Sequence, residues 1–344
     1  MTGGASTVRI GSGLRGTVTG IAGEAARARD LGFDALSSSE VAHDPFLPLA
    51  LAAQDSGELR LETHIAVAFA RSPMVTAEAA HFLQLLSGGR LVLGLGTQTR
   101  PHIQRRFQMP WSGKPVAQMR DYIRALHAIW ADWNQGEQLD FRSEHYVHTL
   151  MTDTFRPERA ESAPEVHLAA VGPVMTRLAG EVADGLIPHA FSTPEWFREV
   201  TLPALHEGLE RSGRERSAVV VHCPGFVVVT GDGGPTERET AALRQQIAFY
   251  GSTPAYADVL RMQGRGELYE QLHALSIGRD PERWVRMGEL VDDDVLRSFA
   301  VVGSLPEVAD ELRRRYGDDI DQVHLSPPAG TTRDELAAFR SRLS

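Results

Sequence analysis

The stretch Leu86-Ser87-Gly88-Gly89-Arg90-Leu91-Val92-Leu93-Gly94-Leu95-Gly96 decides the fold. From Arg90 to Leu95 it is dense in Leu and Val, with no alternation of polar and apolar residues. Such a strand is covered on both faces, as in a parallel sheet, whereas a sheet with one wet face alternates. A helical pattern, Thr76 to Leu86, precedes it, and a long amphipathic one, Val116 to Trp133, follows. Parallel strands need crossover connections, so this order predicts βα units.

Outward from that strand the alternation holds. Toward the N-terminus, Val8–Gly13, Ala35–Ser38 and Leu61–Phe69 read as strands, separated by helices at Ile21–Leu31 and Pro48–Ser56. Gly32 stops the first helix, because glycine takes positive φ without a Cβ penalty. Toward the C-terminus, Val166–Val171, Gly185–Pro188, Val219–Val229 and Ile320–Leu325 are strands, with a helix at Glu307–Tyr316. Eight strand candidates in 344 residues fit an α/β protein of the (β/α)8 TIM-barrel type, one domain over 1–344 with insertions after strands 4 and 7. The competitor is an open doubly wound sheet. Against it, the first strand-to-helix turn has no G-x-G-x-x-G loop, and Gly94-Leu95-Gly96-Thr97 follows the fourth strand without a third glycine.

Three connections exceed what a barrel needs. Thr97–Pro115 reads as a proline-rich loop, and Gln138–Thr149 as a short excursion beside the barrel. The longest, Gly231–Phe299, carries helical patterns at Glu239–Tyr250, Tyr256–Arg261, Leu268–Ser276 and Pro281–Leu290. Its aromatic and aliphatic content predicts an ordered, mostly helical lid over 231–299.

Composition narrows the class. The formal charge of −10, from 45 acidic and 35 basic residues, gives no reason for a nucleic-acid partner. Lys114 is the only lysine, so a Schiff-base mechanism has one residue available. Cys223 is the only cysteine, which excludes an internal disulfide and a cysteine-held zinc. No run of about 20 apolar residues suits a membrane span, and Met1–Thr7 lacks the basic-then-apolar order of a signal peptide. The expectation is a soluble cytoplasmic protein acting on a small molecule. Asp292-Asp293-Asp294 reads as an acidic helix cap, since consecutive helical residues share no face. His145 and His148 lack further ligands, so no metal site is expected and a metal-dependent barrel hydrolase is a minor alternative.

Several phrases at the strand ends carry a resemblance. They are Gly32-Phe33-Asp34-Ala35, Glu40, Ala70-Arg71-Ser72-Pro73, the quoted 86–96 stretch, Gly172-Pro173, Ala179-Gly180-Glu181-Val182-Ala183-Asp184-Gly185 and Val302-Gly303-Ser304. In this order the chain resembles the bacterial luciferase-like monooxygenase superfamily, and within it an actinobacterial subgroup of the deazaflavin-dependent branch. The resemblance implies coenzyme F420, or alternatively FMN, at the C-terminal mouth of the barrel. It implies hydride transfer to or from a small organic substrate, with an FMN-dependent monooxygenase as the alternative. A homodimer or higher homo-oligomer is implied too. A barrel that only stores cofactor is the non-enzymatic reading.

Candidate site residues follow from strand position and from the resemblance. Glu40 and His43 follow the second strand and are the catalytic candidates; the family places a carboxylate and an adjacent histidine there, but Val41 and Ala42 intervene here. The resemblance implies a non-proline cis peptide in the third strand, at His64-Ile65 or Ile65-Ala66, with Ala66 small enough for close approach of the cofactor ring. Thr97, Gln98 and Thr99 would meet the cofactor rim. No carboxylate stands among them, which argues against sugar-phosphate dehydrogenation. Gly172, Pro173 and Val174 open a helix whose free N–H groups suit a phosphate, with Arg177 in reach or else paired to Glu181. His102, Trp111, His189, Phe191, Phe249, Tyr250 and Tyr256 are candidates for the substrate side.

Overall fold

The computed structural model describes residues 7–231 and 233–344. The expectation for the first six residues of the N-terminus lies outside the described residues.

The strands are β1 (Arg9–Gly13), β2 (Ala35–Ser38), β3 (Arg60–Val67), β4 (Leu91–Gly96), β5 (Phe141–Arg142), β6 (Val147–His148), β7 (Glu165–Ala170), β8 (Gly185–Pro188), β9 (Val220–Val221), β10 (Phe226–Val229), β11 (Ala300–Gly303) and β12 (Gln322–Leu325). Eight of them form one sheet in the order β12-β1-β2-β3-β4-β7-β8-β9. Every pairing in it is parallel. A parallel bridge from His222 to Gln322 joins the two edges, with the Cys223 N–H donating to the Gln322 carbonyl and the Asp321 N–H to the Val221 carbonyl, both at 2.7 Å. The sheet closes on itself as a (β/α)8 barrel.

Most helices lie within a few residues of their expected bounds. Ile21–Leu31 ends at Gly32 with φ of 89°, as its C-cap role requires. Helices Pro73–Leu86 and Pro115–Gln135 flank β4, and the latter buries Tyr122, Trp130 and Trp133 in the barrel's outer core. The 138–149 excursion is an antiparallel hairpin of β5 and β6. The loop at 97–115 is not wholly irregular: His102–Arg106 makes one wide helical turn.

Three features depart from expectation. The predicted strand Val219–Val229 is two strands, because Pro224 has no N–H to give and Gly225 takes φ of 87°. Its second half, β10, leaves the barrel and pairs in parallel with β11, a strand the sequence pattern did not announce. Helices Leu202–Ser212 and Arg333–Leu343 were also unanticipated. The last one is tied to the barrel by Arg340, whose guanidinium donates to both oxygens of Asp34 and to the Gly32 carbonyl.

The 231–299 insertion is helical, at Glu237–Gly251, Ala257–Met262, Gly266–Ile277, Arg283–Glu289 and Asp293–Phe299. Asp292 caps the last of these, its carboxylate accepting from the Val295 N–H at 2.7 Å. These helices gather an apolar cluster of their own, including Phe191, Phe226, Ile247, Leu260, Leu272 and Phe299, separate from the barrel's core. No helix among the described residues is long and apolar enough to cross a membrane.

Candidate active site at the barrel mouth

A cavity of about 210 Å³ opens at the C-terminal ends of β1, β2, β3 and β12, lined by Gly13, Leu14, Arg15, Ser37, Ser39, His64, His324, Leu325 and Ser326. Active sites of such barrels lie at this end. A larger cleft, about 430 Å³, lies between helices Glu237–Gly251 and Arg283–Glu289. No strand end contributes to it, so the smaller cavity is the better candidate.

The cavity rests on an unusually polar barrel interior. Side chains two residues apart on a strand share a face, so Glu62 and His64 point inward from β3, Glu165 and His167 from β7, and Gln322 and His324 from β12. The Glu62 carboxylate, 1% exposed, accepts from Gln322 Nε2 at 2.9 Å and faces His324 Nε2 at 3.1 Å. His324 Nδ1 faces Ser37 Oγ at 3.3 Å, and His167 Nδ1 faces His222 Nε2 at 2.8 Å. The His64 ring lies 4.5 Å from His324 and 5.4 Å from His222 between centroids. Glycine makes the room: a Cβ on Gly11 would stand 2.7 Å from the His324 ring, and one on Gly185 would stand 2.4 Å from His167.

Charges in this interior are fixed by neighbours. Burial alone would raise the Glu62 carboxyl, but the His324 hydrogen bond and charge, the His167 charge and the Gln322 amide outweigh it and hold it at about 2. Burial, then the charge of His324, lowers His64 to about 3. Burial and the surrounding histidines keep His222 well below the usual imidazole range. The interior thus holds a carboxylate beside two imidazoles, His64 and His222, that burial pushes toward the neutral form.

The predicted residues divide between the mouth and its supports. The cis peptide is at His64-Ile65, where the β3–β4 register shifts between Thr63 and Ala66. Glu40 does not line the cavity. It is buried, accepts from both Arg71 Nη atoms at 2.8 Å and from the Val67 N–H at 2.7 Å, and so braces the bulge. Burial opposes the Arg71 charge, but Glu40 outweighs it and raises the guanidinium above its ordinary value. Arg71 thus holds both Glu40 oxygens, and the carboxylate stands behind the cavity wall rather than on it. His43 is exposed on the adjoining loop, which Arg106 ties down through the Val41 carbonyl at 2.5 Å.

Thr97 and Gln98 are half-buried just past β4, Gln98 at φ of 58°, while Thr99 and His102 are exposed. Trp111 is half-buried, edge-on to Phe69 at 6.1 Å. Gly172 caps helix Pro173–Val182 without a side-chain cap, and Val174 is exposed there. Thr176 is the first N–H to find a helical carbonyl, that of Gly172 at 3.1 Å, so those of Val174 and Met175 point out of the helix start. Arg177 is drawn sideways to Glu207 at 2.6 Å rather than toward that start, and not to Glu181, which pairs with Arg120.

His189, Tyr250 and Tyr256 do meet. The His189 ring stacks on Tyr256 at 4.6 Å and meets Tyr250 edge-on at 4.7 Å, with Nε2 3.2 Å from the Tyr256 hydroxyl. Burial lowers His189 to about 4. Phe191 is core instead, 2% exposed and stacked on Phe299 at 4.2 Å. Phe249 is exposed, and its ring meets that of Trp284 at 5.6 Å.

Sequence reasoning missed His167, His222, His324 and Glu62. A signal was present: Glu62-x-His64, Glu165-x-His167 and Gln322-x-His324 repeat one spacing on three strands otherwise rich in apolar residues. Barrel interiors are filled mostly by branched apolar side chains, so polar pairs at period two mark an exception.

Comparison with known proteins agrees with this architecture. The chain is 46% identical over 323 residues to the uncharacterized protein Rv1360 of Mycobacterium tuberculosis, covering 93% of this chain and 94% of the relative. It is 27% identical to the F420-dependent glucose-6-phosphate dehydrogenase of Intrasporangium calvum, covering 85% and 83%. The structure of the coenzyme F420-dependent tetrahydromethanopterin reductase of Methanopyrus kandleri superposes with a TM-score of 0.77 at 22% identity, covering 98% of each chain. Residues 4–322 match the luciferase-like monooxygenase family, and the chain belongs to that family.

Proposed function

We propose that this protein is an oxidoreductase that uses the deazaflavin coenzyme F420 for hydride transfer to or from a small organic substrate. The observation that carries the reading is the uncapped helix start at Gly172-Pro173, on the same barrel end as the cavity. The F420-dependent relatives motivate the choice of deazaflavin over FMN.

The residues fit such a coenzyme. The outward N–H groups of Val174 and Met175, at the positive end of a ten-residue helix, suit a phosphate. The bulge at His64, Ile65 and Ala66, braced by Glu40, offers a firm bed of small and apolar groups for a flat ring. Thr97, Gln98 and Thr99 supply hydroxyl and amide groups at its rim. When bound, the deazaflavin accepts or donates a hydride at its central ring carbon. The chain's part is to hold, orient and shield. An imidazole nitrogen of His43, exposed on the loop that follows β2, exchanges the accompanying proton with the substrate. His102, Trp111, His189, Tyr250 and Tyr256 face the substrate side, and the helical 231–299 insertion acts as a lid.

One experiment with two variants tests this. Val174→Asp adds a negative charge beside the helix start and should weaken coenzyme binding by about 0.3–1 kcal/mol, approaching ~2 kcal/mol if partly buried. His43→Asn should bind normally but lose on the order of 100-fold in single-turnover hydride transfer. Unchanged affinity in a folded Val174→Asp protein removes this helix from the site. Unchanged transfer in His43→Asn removes the histidine from the chemistry.

A further inference from the structure

We propose that His64, His222 and His324 form a binding site for a divalent transition-metal ion of the zinc class in the barrel interior, at the floor of the mouth cavity. One ring nitrogen from each of the three lies within 4.8 Å of the others. A tetrahedral ion with metal–nitrogen bonds of about 2.0–2.1 Å needs nitrogens about 3.4 Å apart. The closure required is at most about 1.4 Å, within the swing of an imidazole about its side-chain bonds.

Two of the three rings carry a nitrogen with nothing to bind. His64 Nε2 and His222 Nδ1 are both buried without a hydrogen-bond partner. A buried polar atom left unsatisfied is costly and asks for an occupant. The far sides of the rings are held as metal-binding histidines are held. Glu62 Oε2 faces His324 Nε2 at 3.1 Å, and His167 Nδ1 faces His222 Nε2 at 2.8 Å. That leaves His324 Nδ1, 3.3 Å from the Ser37 hydroxyl, as the third donor. Because Glu62 is a carboxylate behind the ligands, it also offsets part of the ion's charge.

The donor set chooses the ion. Three imidazole nitrogens suit zinc, cobalt, nickel or copper, whereas magnesium and calcium require oxygen ligands. His64 and His324 both line the cavity, so the fourth coordination position faces it and takes water or a substrate oxygen.

The test needs no organic coenzyme, so its outcome is separate from that of the deazaflavin reading. Chelator-stripped protein is equilibrated with Co²⁺ or Zn²⁺ at micromolar concentration, then passed through gel filtration and assayed for metal content and cobalt visible absorption. The expected result is one ion per chain with the intense bands of tetrahedral cobalt. His222→Asn and His64→Asn should each abolish those bands, and Glu62→Gln should weaken affinity by about 10- to 100-fold. Circular dichroism checks folding, and His64→Asn, at the cavity edge, reads the site if His222→Asn fails to fold. Wild-type protein that retains no ion overturns the proposal. So does a cobalt spectrum that survives in folded His64→Asn.

Discussion

The barrel interior and the underside of the insertion each enclose histidine, and they treat the imidazole in opposite ways. In the barrel interior, His64, His167, His222 and His324 sit among Glu62, Gln322 and Ser37, so polar groups meet polar groups. Under the insertion, His189 is boxed by the Tyr250 and Tyr256 rings, and burial alone pushes it down to about 4. The first arrangement is a network in which each member depends on the others. The second is an aromatic pocket in which one imidazole meets a tyrosine hydroxyl and a backbone N–H. The difference separates a place suited to holding charge from a place suited to packing.

The sharpest way to break that contrast is Glu62→Ala. It strands Gln322 Nε2 and a histidine beside an unpaired cavity, and should cost about 3–5 kcal/mol, as loss of one partner from a buried charged pair does. Denaturant unfolding measures it, and a loss below about 1 kcal/mol would make the interior network incidental. Next comes Phe191→Ala in the aromatic region, which should cost about 3 kcal/mol through the cavity left against Phe299. Limited proteolysis should then cut faster within 237–299 while the barrel resists. Equal acceleration in both would mean that the two apolar clusters are one cooperative unit.

The smallest effect is a pH dependence. Burial holds the folded His189 pKa at about 4, below the ordinary imidazole value of about 6.5. The titratable groups packed on it are Tyr250 and Tyr256, and burial, then Tyr250's charge, raises Tyr256 to about 12. As pH falls below about 6.5 the unfolded chain takes up a proton that the folded chain refuses. His189 therefore favours the folded state fully above about 6.5, and that advantage is lost between about 6.5 and 4. Partial exposure limits the effect to ~1–2 kcal/mol. Wild type should lose stability relative to His189→Gln across that window, and parallel curves would show an open, solvated ring.

The barrel was legible because β4 and its neighbours are buried on both faces, and an unbroken apolar run this short between two helical patterns suits little but an inner parallel strand. The 231–299 helices were legible from their period. The β9–β10 break was written in Pro224-Gly225, yet the apolar run on either side outweighed it. The C-terminal helix, Arg333–Leu343, was missed, although Thr332 and Glu335 form a capping box at its start. At the site, position along a strand was readable but partnership was not. Glu40 sits where expected, yet Arg71, 31 residues on, decides what it does. Arg177 likewise answers to Glu207, a residue of a helix that the sequence pattern did not reveal. The histidine cluster joins separate strands, and only their shared inward register links them.

What the barrel mouth binds is the central question, and it can be measured directly. Equilibrium titration of the purified protein with the deazaflavin coenzyme and with FMN, in one buffer at low ionic strength, reads it by cofactor fluorescence. The prediction is that the deazaflavin binds at least about tenfold more tightly, a preference of ~1.4 kcal/mol. Micromolar binding of FMN with none of the deazaflavin would contradict it.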